Sequence, residues 1–232
     1  MSYPEISFGQ SVLERGFAIV SSVISRRESD LILSELNQAQ LNRGRAGARH
    51  ILRQPFTQKL AHDPRVLALA CEVLGENAFP FRATLFDKSA NSNWLVVWHQ
   101  DTALPLEEKC ESEGWGPWST KDGIVYAHAP ASALEQVLAL RIHLDDSTET
   151  NGPLRVLSGT HKRGVLSDPE LLELDSQMEA VACTVNQGGV VAMRPLIAHA
   201  SSKSQSRQPR RVIHIEYSAV PDFGSGLRLA SA

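Results

Sequence analysis

The chain has 232 residues, with 23 Lys and Arg against 26 Asp and Glu for a formal charge of −3, 42% hydrophobic residues and 21% charged ones. This excludes a disordered or collagen-like chain and supplies enough apolar material for a real core. The slightly acidic balance offers no field for a phosphate backbone, so nucleic acid is not an expected partner.

Cys71, Cys110 and Cys183 form no CxxC pair, which argues against a disulfide framework or a thiolate zinc site and for a reducing compartment. Met1–Glu5 shows no basic-then-apolar leader, and no run reaches the ~18 apolar residues of a membrane span. The expectation is a cytoplasmic protein with no membrane partner; oligomeric state is left open.

In chain order, residues 5–15 carry Ile6, Val12 and Leu13 at loose helical spacing, Gly16 stops that helix, and Phe17–Val20 reads as a buried strand. Ser25 with Glu28 makes a capping box for a helix carrying Leu31, Ile32, Leu33 and Leu36. Arg43, Arg45, Arg49 and Arg53 then follow without an acidic residue, either to recognise an anionic group or as a solvated loop. Asp63-Pro64 opens another helix, with Val66, Leu67, Ala70, Val73 and Leu74 as its apolar stripe and Gly75 as its end.

From residue 78 the pattern becomes short strands between turn residues, at 79–87, 94–98, 124–127, 137–144, 154–157, 181–185, 189–193 and 212–217. Strands without alternating helices predict an antiparallel sandwich or barrel of the jelly-roll kind. Residues 102–123 interrupt the series with Glu107, Glu108, Glu111 and Glu113 and then Trp115-Gly116-Pro117-Trp118. The segment is a candidate lid, with Trp115 and Trp118 as substrate contacts, or a surface loop pinned by its aromatics.

His99-Gln100-Asp101 places a histidine and a carboxylate two residues apart on extended backbone, pointing the same way. A facial metal triad needs a second histidine from a neighbouring strand. His199 lies 100 residues beyond His99, enough chain to travel round a barrel and return. A rival pair, His143-Leu144-Asp145, lies inside a strand and only 56 residues before His199, so His99 and Asp101 are preferred. Arg141 and His143 share one face and become substrate or supporting groups if that face lines the barrel; otherwise His143 is a hydrogen-bonded core histidine. Arg210 and Arg211 feed the last strand, where a guanidinium can grip the remote carboxylate of a dicarboxylic cosubstrate, with Ser201 adding a hydroxyl.

His99-Gln100-Asp101, then Leu144-Asp145-Asp146 with Asn151-Gly152-Pro153-Leu154-Arg155-Val156-Leu157-Ser158-Gly159-Thr160-His161, then His199-Ala200-Ser201 with Arg210 eleven residues past His199, together resemble the phytanoyl-CoA dioxygenase (PhyH-like) superfamily of iron(II)- and 2-oxoglutarate-dependent oxygenases. The resemblance runs from about residue 8 to 220. It implies a double-stranded β-helix, the cupin-like jelly roll, with packed N-terminal helices. The expected layout is one domain over 1–232, mostly helical to 77, jelly roll over 78–220 and a tail over 221–232.

The resemblance further implies Fe(II) held by His99, Asp101 and His199, with Arg210 and Ser201 on 2-oxoglutarate and Arg211 as the alternative if the alignment slips by one. Dioxygen would be the second cosubstrate and succinate and carbon dioxide the products. Related halogenases have Ala or Gly where this chain has Asp101, so hydroxylation or desaturation of a small molecule is expected. His161 reads as structural. Lys88, Asn93, Trp98 and Arg141 do not single out a substrate. The rival readings are a cupin-like metalloenzyme that does not use 2-oxoglutarate and a catalytically silent small-molecule binding module.

Overall fold

Ser7 accepts the Gln10 amide to start α1 (Phe8–Arg15), and Gly16 ends it in the left-handed region at φ 84°, turning the chain into β1 (Phe17–Val20). The computed structural model describes residues 6–89 and 92–232; Met1–Glu5, on which the leader reading rests, lie outside them. The Ser25–Glu28 capping box forms as expected at the head of α2 (Arg26–Gln38). Helices α3 (Pro55–Ala61) and α4 (Pro64–Leu74) follow, the second capped by Asp63 and ended at Gly75.

Beyond the helices the chain is mainly antiparallel β. The strands are β2 (Arg43–Gly44), β3 (Gly47–Ala48), β4 (Phe79–Lys88), β5 (Val96–His99), β6 (Ala103–Leu106), β7 (Trp118–Lys121), β8 (Ile124–His128), β9 (Val137–His143), β10 (Leu154–Val156), β11 (Val181–Cys183), β12 (Val190–Met193), β13 (His199–Ser201) and β14 (Arg210–Ser218). A large sheet runs β1-β12-β9-β14-β4-β3-β2, and a smaller one, β11-β10-β13-β5, faces it. This is the expected jelly roll with helices packed on one side.

Period-two alternation divides the large sheet into two chemically different faces. Ala83, Leu85, Leu138, Leu140, Ile142, Ile213, Ile215 and Tyr217 pack with Leu36, Phe56, Leu60 and Val66 of the helices, and the Tyr217 hydroxyl donates to the Ala61 carbonyl at 2.8 Å. The opposite face points between the sheets. At one end it is apolar, with Ala139, Val191 and Met193 meeting Leu154, Val156 and Ile197 of the smaller sheet and its connections. At the other end the inward positions carry Arg82, Lys88, Arg141, His143, Arg210, His214 and Glu216, nearly all of them buried. Such a polar interior is costly unless it serves a ligand.

The structure departs from the sequence reading in three places. Residues 102–123 carry two strands that the reading lacks: β6 and β7 flank β8 in a third sheet. Its tryptophans pack away from the barrel mouth, Trp115 against Phe223 with ring centroids 5.4 Å apart and Trp118 with Leu106, Ala127 and Leu227. Residues 221–232 are not a loose tail either, since Ala232 exchanges backbone hydrogen bonds with Phe81 and Ala83 (2.8 and 2.9 Å) and is buried. Helix α3, a short α5 (Ala131–Leu134) and α6 (Asp168–Gln177) escape the periodicity reading.

Candidate metal centre

His99 ends β5 and His199 begins β13, and the two are direct partners in the antiparallel register, with an irregularity before Ser201. The pairing brings together residues 100 apart in sequence and sets their rings 4.1 Å apart between centroids, tilted by 50°. Asp101 follows in the loop, its amide donating to the Pro195 carbonyl at 2.9 Å. Gln100 fixes the turn: its side-chain amide donates to the carbonyls of Leu196 (2.7 Å) and Gly164 (2.9 Å), and its oxygen accepts the Leu166 amide at 2.7 Å.

The donor set fits a divalent metal. Nδ1 of His99 donates to the Val97 carbonyl and Nδ1 of His199 to the Ile197 carbonyl, both at 2.9 Å, which leaves each Nε2 as a free lone pair. Those Nε2 atoms lie 3.8 and 3.6 Å from the Asp101 oxygens, too far for hydrogen bonds and with room for an ion between. All three donor atoms lie within 4.8 Å of one another. Burial opposes the charge on Asp101, but His199, His99, His214 and Arg82 outweigh it and hold the carboxyl well below its usual range. Burial pushes His199 down to about 4 against the pull of Asp101, so its ring is neutral and able to coordinate at pH 7.

Beside these donors the cleft is lined by Phe86, Trp94, Val96, Arg141, Leu154, Ser201 and Arg210. Arg210 is buried, its Nε reaching the Asn151 carbonyl at 3.3 Å while Nη1 has no partner among the described residues. Burial and the neighbouring Arg141 push it down to about 9, still charged at neutral pH and without a counter-ion. Arg141 donates to Nδ1 of His214 at 3.0 Å and stacks on Phe86 at 5.0 Å, with its Nε unpartnered. Lys88 donates to the Ser201 hydroxyl (2.8 Å) and the Ser202 carbonyl (2.6 Å), and burial with Arg210 and Arg141 pushes it down to about 8. The Ser201 hydroxyl donates in turn to the Gly152 carbonyl at 2.9 Å, so its oxygen lone pair aims Lys88.

The remaining sequence candidates fall elsewhere. Arg211 points out of the barrel and is held by Asp145, which removes the rival pair as a metal site. His143 is fully buried, and neither ring nitrogen has a partner, so it is not the hydrogen-bonded core histidine that the sequence suggests; burial, Arg141 and Arg210 hold it neutral. Trp115 and Trp118 do not line the cleft, Trp98 packs outside it near α6, and Asn93 bonds the backbone of Ser204. His161 ties to the Leu13 carbonyl at 3.1 Å, a structural contact as expected.

Sequence reasoning missed Trp94, Phe86, Gln100 and the Arg82–Glu216 ion pair next to His214. The signal was present: Arg82 and Lys88 stand at even positions of a strand whose odd positions are apolar from 79 to 85.

Comparison with known proteins places the chain among relatives of known kind. An L-proline trans-4-hydroxylase of Streptomyces griseoviridis is 27% identical over 188 residues, covering 70% of this chain and 62% of that protein. An ectoine dioxygenase of Bordetella bronchiseptica is 22% identical over 193 residues, 74% of this chain and 56% of that one. The chain thus spans about 60% of the length of these curated relatives. The crystal structure of EctD from S. alaskensis with 2-oxoglutarate and 5-hydroxyectoine superposes with a TM-score of 0.70 at 20% identity, covering 90% of this chain and 74% of that one. No helix among the described residues is long and apolar enough to cross a membrane. The phytanoyl-CoA dioxygenase (PhyH) family model matches residues 13–212, and the chain belongs to that family.

Proposed function

We propose that the protein is an Fe(II)- and 2-oxoglutarate-dependent dioxygenase that hydroxylates an unactivated C–H bond of a small molecule, with release of succinate and carbon dioxide. One observation carries the reading: the His99–Asp101–His199 donors open into the same cleft as Arg210, a buried guanidinium without a carboxylate partner. A dicarboxylate with one end at the metal supplies the missing negative charge at the other.

The iron and 2-oxoglutarate together supply the oxidising chemistry, in which dioxygen is consumed and the keto acid is decarboxylated. The chain's own residues do the rest. His99, Asp101 and His199 would hold the metal. Arg210 takes the far carboxylate in a two-toothed geometry, Lys88 adds a second charge from the position Ser201 gives it, and Arg141 keeps the wall positive. Phe86, Trp94, Val96 and Leu154 exclude water and strengthen each of these interactions. A cupin-like enzyme that does not use 2-oxoglutarate, or a silent binding module, would leave Arg210 and Lys88 buried without purpose. The named relatives, a proline hydroxylase and an ectoine dioxygenase, support a small-molecule substrate.

The test is anaerobic addition of Fe(II) and 2-oxoglutarate to the purified protein. A visible charge-transfer band that needs both is expected, followed by succinate formation in air. A metal site that binds iron but gives no 2-oxoglutarate-dependent band would favour the cupin-like alternative.

A further inference from the structure

We propose that the cavity between the β2–β3 hairpin and the inward face of β4 is the chamber for the molecule to be oxidised, and that it selects a small carboxylate through Arg49, which lines it, and Lys121, which stands beside the lining residue Asp122 within electrostatic reach of Arg49. The proposal rests on the oxygenase reading above and adds the class of substrate. The chamber lies next to the metal cleft, with Phe86 as the side chain common to both linings. Its floor is Thr84 and Phe86, its rim Arg45, Arg49 and Asp122.

The arginines of the rim are held in place by the sheet itself. Gly47 pairs with Phe86 in register, and a Cβ there would lie 1.9 Å from the Leu85 carbonyl oxygen, so the hairpin presses against β4 as only glycine allows. The Asp87 amide donates to the Ala46 carbonyl at 3.0 Å, and Arg43 pairs with Asp87 at 2.8 Å. Next to Arg49, His50 shares a hydrogen bond with the Tyr126 hydroxyl at 2.8 Å and stacks on its ring, which ties this stretch to β8.

Charge supplies the selectivity. Of the four arginines in this stretch, Arg43 is paired with Asp87 and Arg53 reaches the Ser231 carbonyl at 3.3 Å, whereas the side chains of Arg45 and Arg49 have no partner among the described residues. Lys121, whose ammonium sits 4.9 Å above the Tyr126 ring, is pushed down by burial and by Arg49 and Arg82, with Asp101 pulling the other way. That excess of positive charge is what an anion relieves. Asp122 is the one carboxylate on the described lining, so an amino-acid-like zwitterion fits best, its carboxylate on Arg49 and Lys121 and its ammonium towards Asp122. A long acyl chain fits poorly, because beyond Phe86 it would meet the buried Arg82–Glu216 pair and His214.

The experiment titrates a matched panel of amino acids and their carboxamides, together with a fatty acyl thioester, by calorimetry without oxygen. One arm uses protein loaded with iron and 2-oxoglutarate, so that the Arg210 cleft is filled. The other uses metal-free Arg210→Ala protein, whose cleft has lost its metal and its main carboxylate anchor and so competes only weakly for the panel. At least one free carboxylate should bind in both arms and its carboxamide at least about tenfold more weakly. Arg49→Gln and Lys121→Gln, both exposed side chains whose loss the fold tolerates, should each weaken that carboxylate about five- to twentyfold and leave the 2-oxoglutarate titration unchanged. Failure of every carboxylate to bind, equal binding of the carboxamides, preference for the thioester, or unaltered affinity in both variants would overturn the proposal. Failure of the 2-oxoglutarate band alone defeats the oxygenase reading and leaves the metal-free arm to decide the chamber.

Discussion

Arg211 and Asp145 form a two-toothed salt bridge on the outer side of β14, with Nε and Nη2 each 2.7 Å from a carboxylate oxygen. Alternation along the strand therefore turns Arg210 into the cleft. Arg210→Ala should weaken 2-oxoglutarate by about 10- to 150-fold, since hydrogen bonds to a charged group are worth ~1.5–3 kcal/mol. Arg211→Ala should leave 2-oxoglutarate affinity within about twofold and lower the melting temperature instead. Equilibrium titration of the two variants decides it, and the reverse order would exchange their roles.

His99→Ala, Asp101→Ala and His199→Ala should each abolish iron retention, because each removes one of three convergent donors. His143→Ala should keep both the iron and the band, as its ring lies behind the cleft with no donor beside it. Iron content after desalting, read with the anaerobic spectrum, checks all four.

Lys88 gives 2-oxoglutarate binding a pH dependence. The ammonium attracts the cosubstrate only while protonated, and burial with Arg210 and Arg141 has pushed it down to about 8. Affinity should fall as pH rises through that value. In Lys88→Met the overall affinity is lower and the dependence disappears. Identical pH profiles for wild type and Lys88→Met would remove Lys88 from the cosubstrate site.

The aromatic signal of ligand binding should come from Trp94, which lines the cleft with its ring 5.1 Å from the Lys88 ammonium. Intrinsic fluorescence should change on adding 2-oxoglutarate, and Trp94→Phe should abolish the change. Trp115→Phe and Trp118→Phe should retain it. Amides of β7 should be protected from hydrogen exchange before any ligand is added, as expected of a paired strand and not of a lid.

Stability of the metal-free protein should fall on acidification. His143 and His214 are held neutral in the fold, chiefly by burial, and both lie well below their ordinary value. Below a pH of about 6.5 the unfolded chain binds protons that the folded one does not, so stability is lost as pH drops through that point, by up to ~1.4 kcal/mol per pH unit for each ring. Urea unfolding between pH 7 and 5 should show a shallower loss for His143→Gln than for wild type.

The helix starts and the metal donors were readable from sequence because each is written in a few neighbouring residues: Ser25 with Glu28, Asp63 before Pro64, His99 with Asp101. Partners of high sequence separation were not. Nothing local indicates that Asp145 will hold Arg211 or that Trp115 will meet Phe223. Sequence left the lid and the aromatically pinned loop as alternatives because a Gly- and Trp-rich stretch looks the same whether its aromatics face a ligand or the C-terminal segment; tertiary packing decides where they point. Arg82 and Glu216 were overlooked because one charge in a strand reads as a solvent-facing position, and only barrel closure turns that face inward.

Among the described residues strand β5 has β13 as its one hydrogen-bonded neighbour, and it exposes Val97, with Leu95 just before it also exposed. Two of the three donors lie on this edge strand and the loop that leaves it, and the third on its only partner. An ion bound there is a cross-link that closes a loop of 100 residues. Metal retention and fraying of the sheet margin are then one equilibrium: free energy of unfolding rises with the logarithm of free ion concentration. Chelation should first expose an apolar, hydrogen-bond-hungry margin of the kind that recruits another chain, so the apoprotein's tendency to aggregate and its loss of activity should share a single dependence on metal.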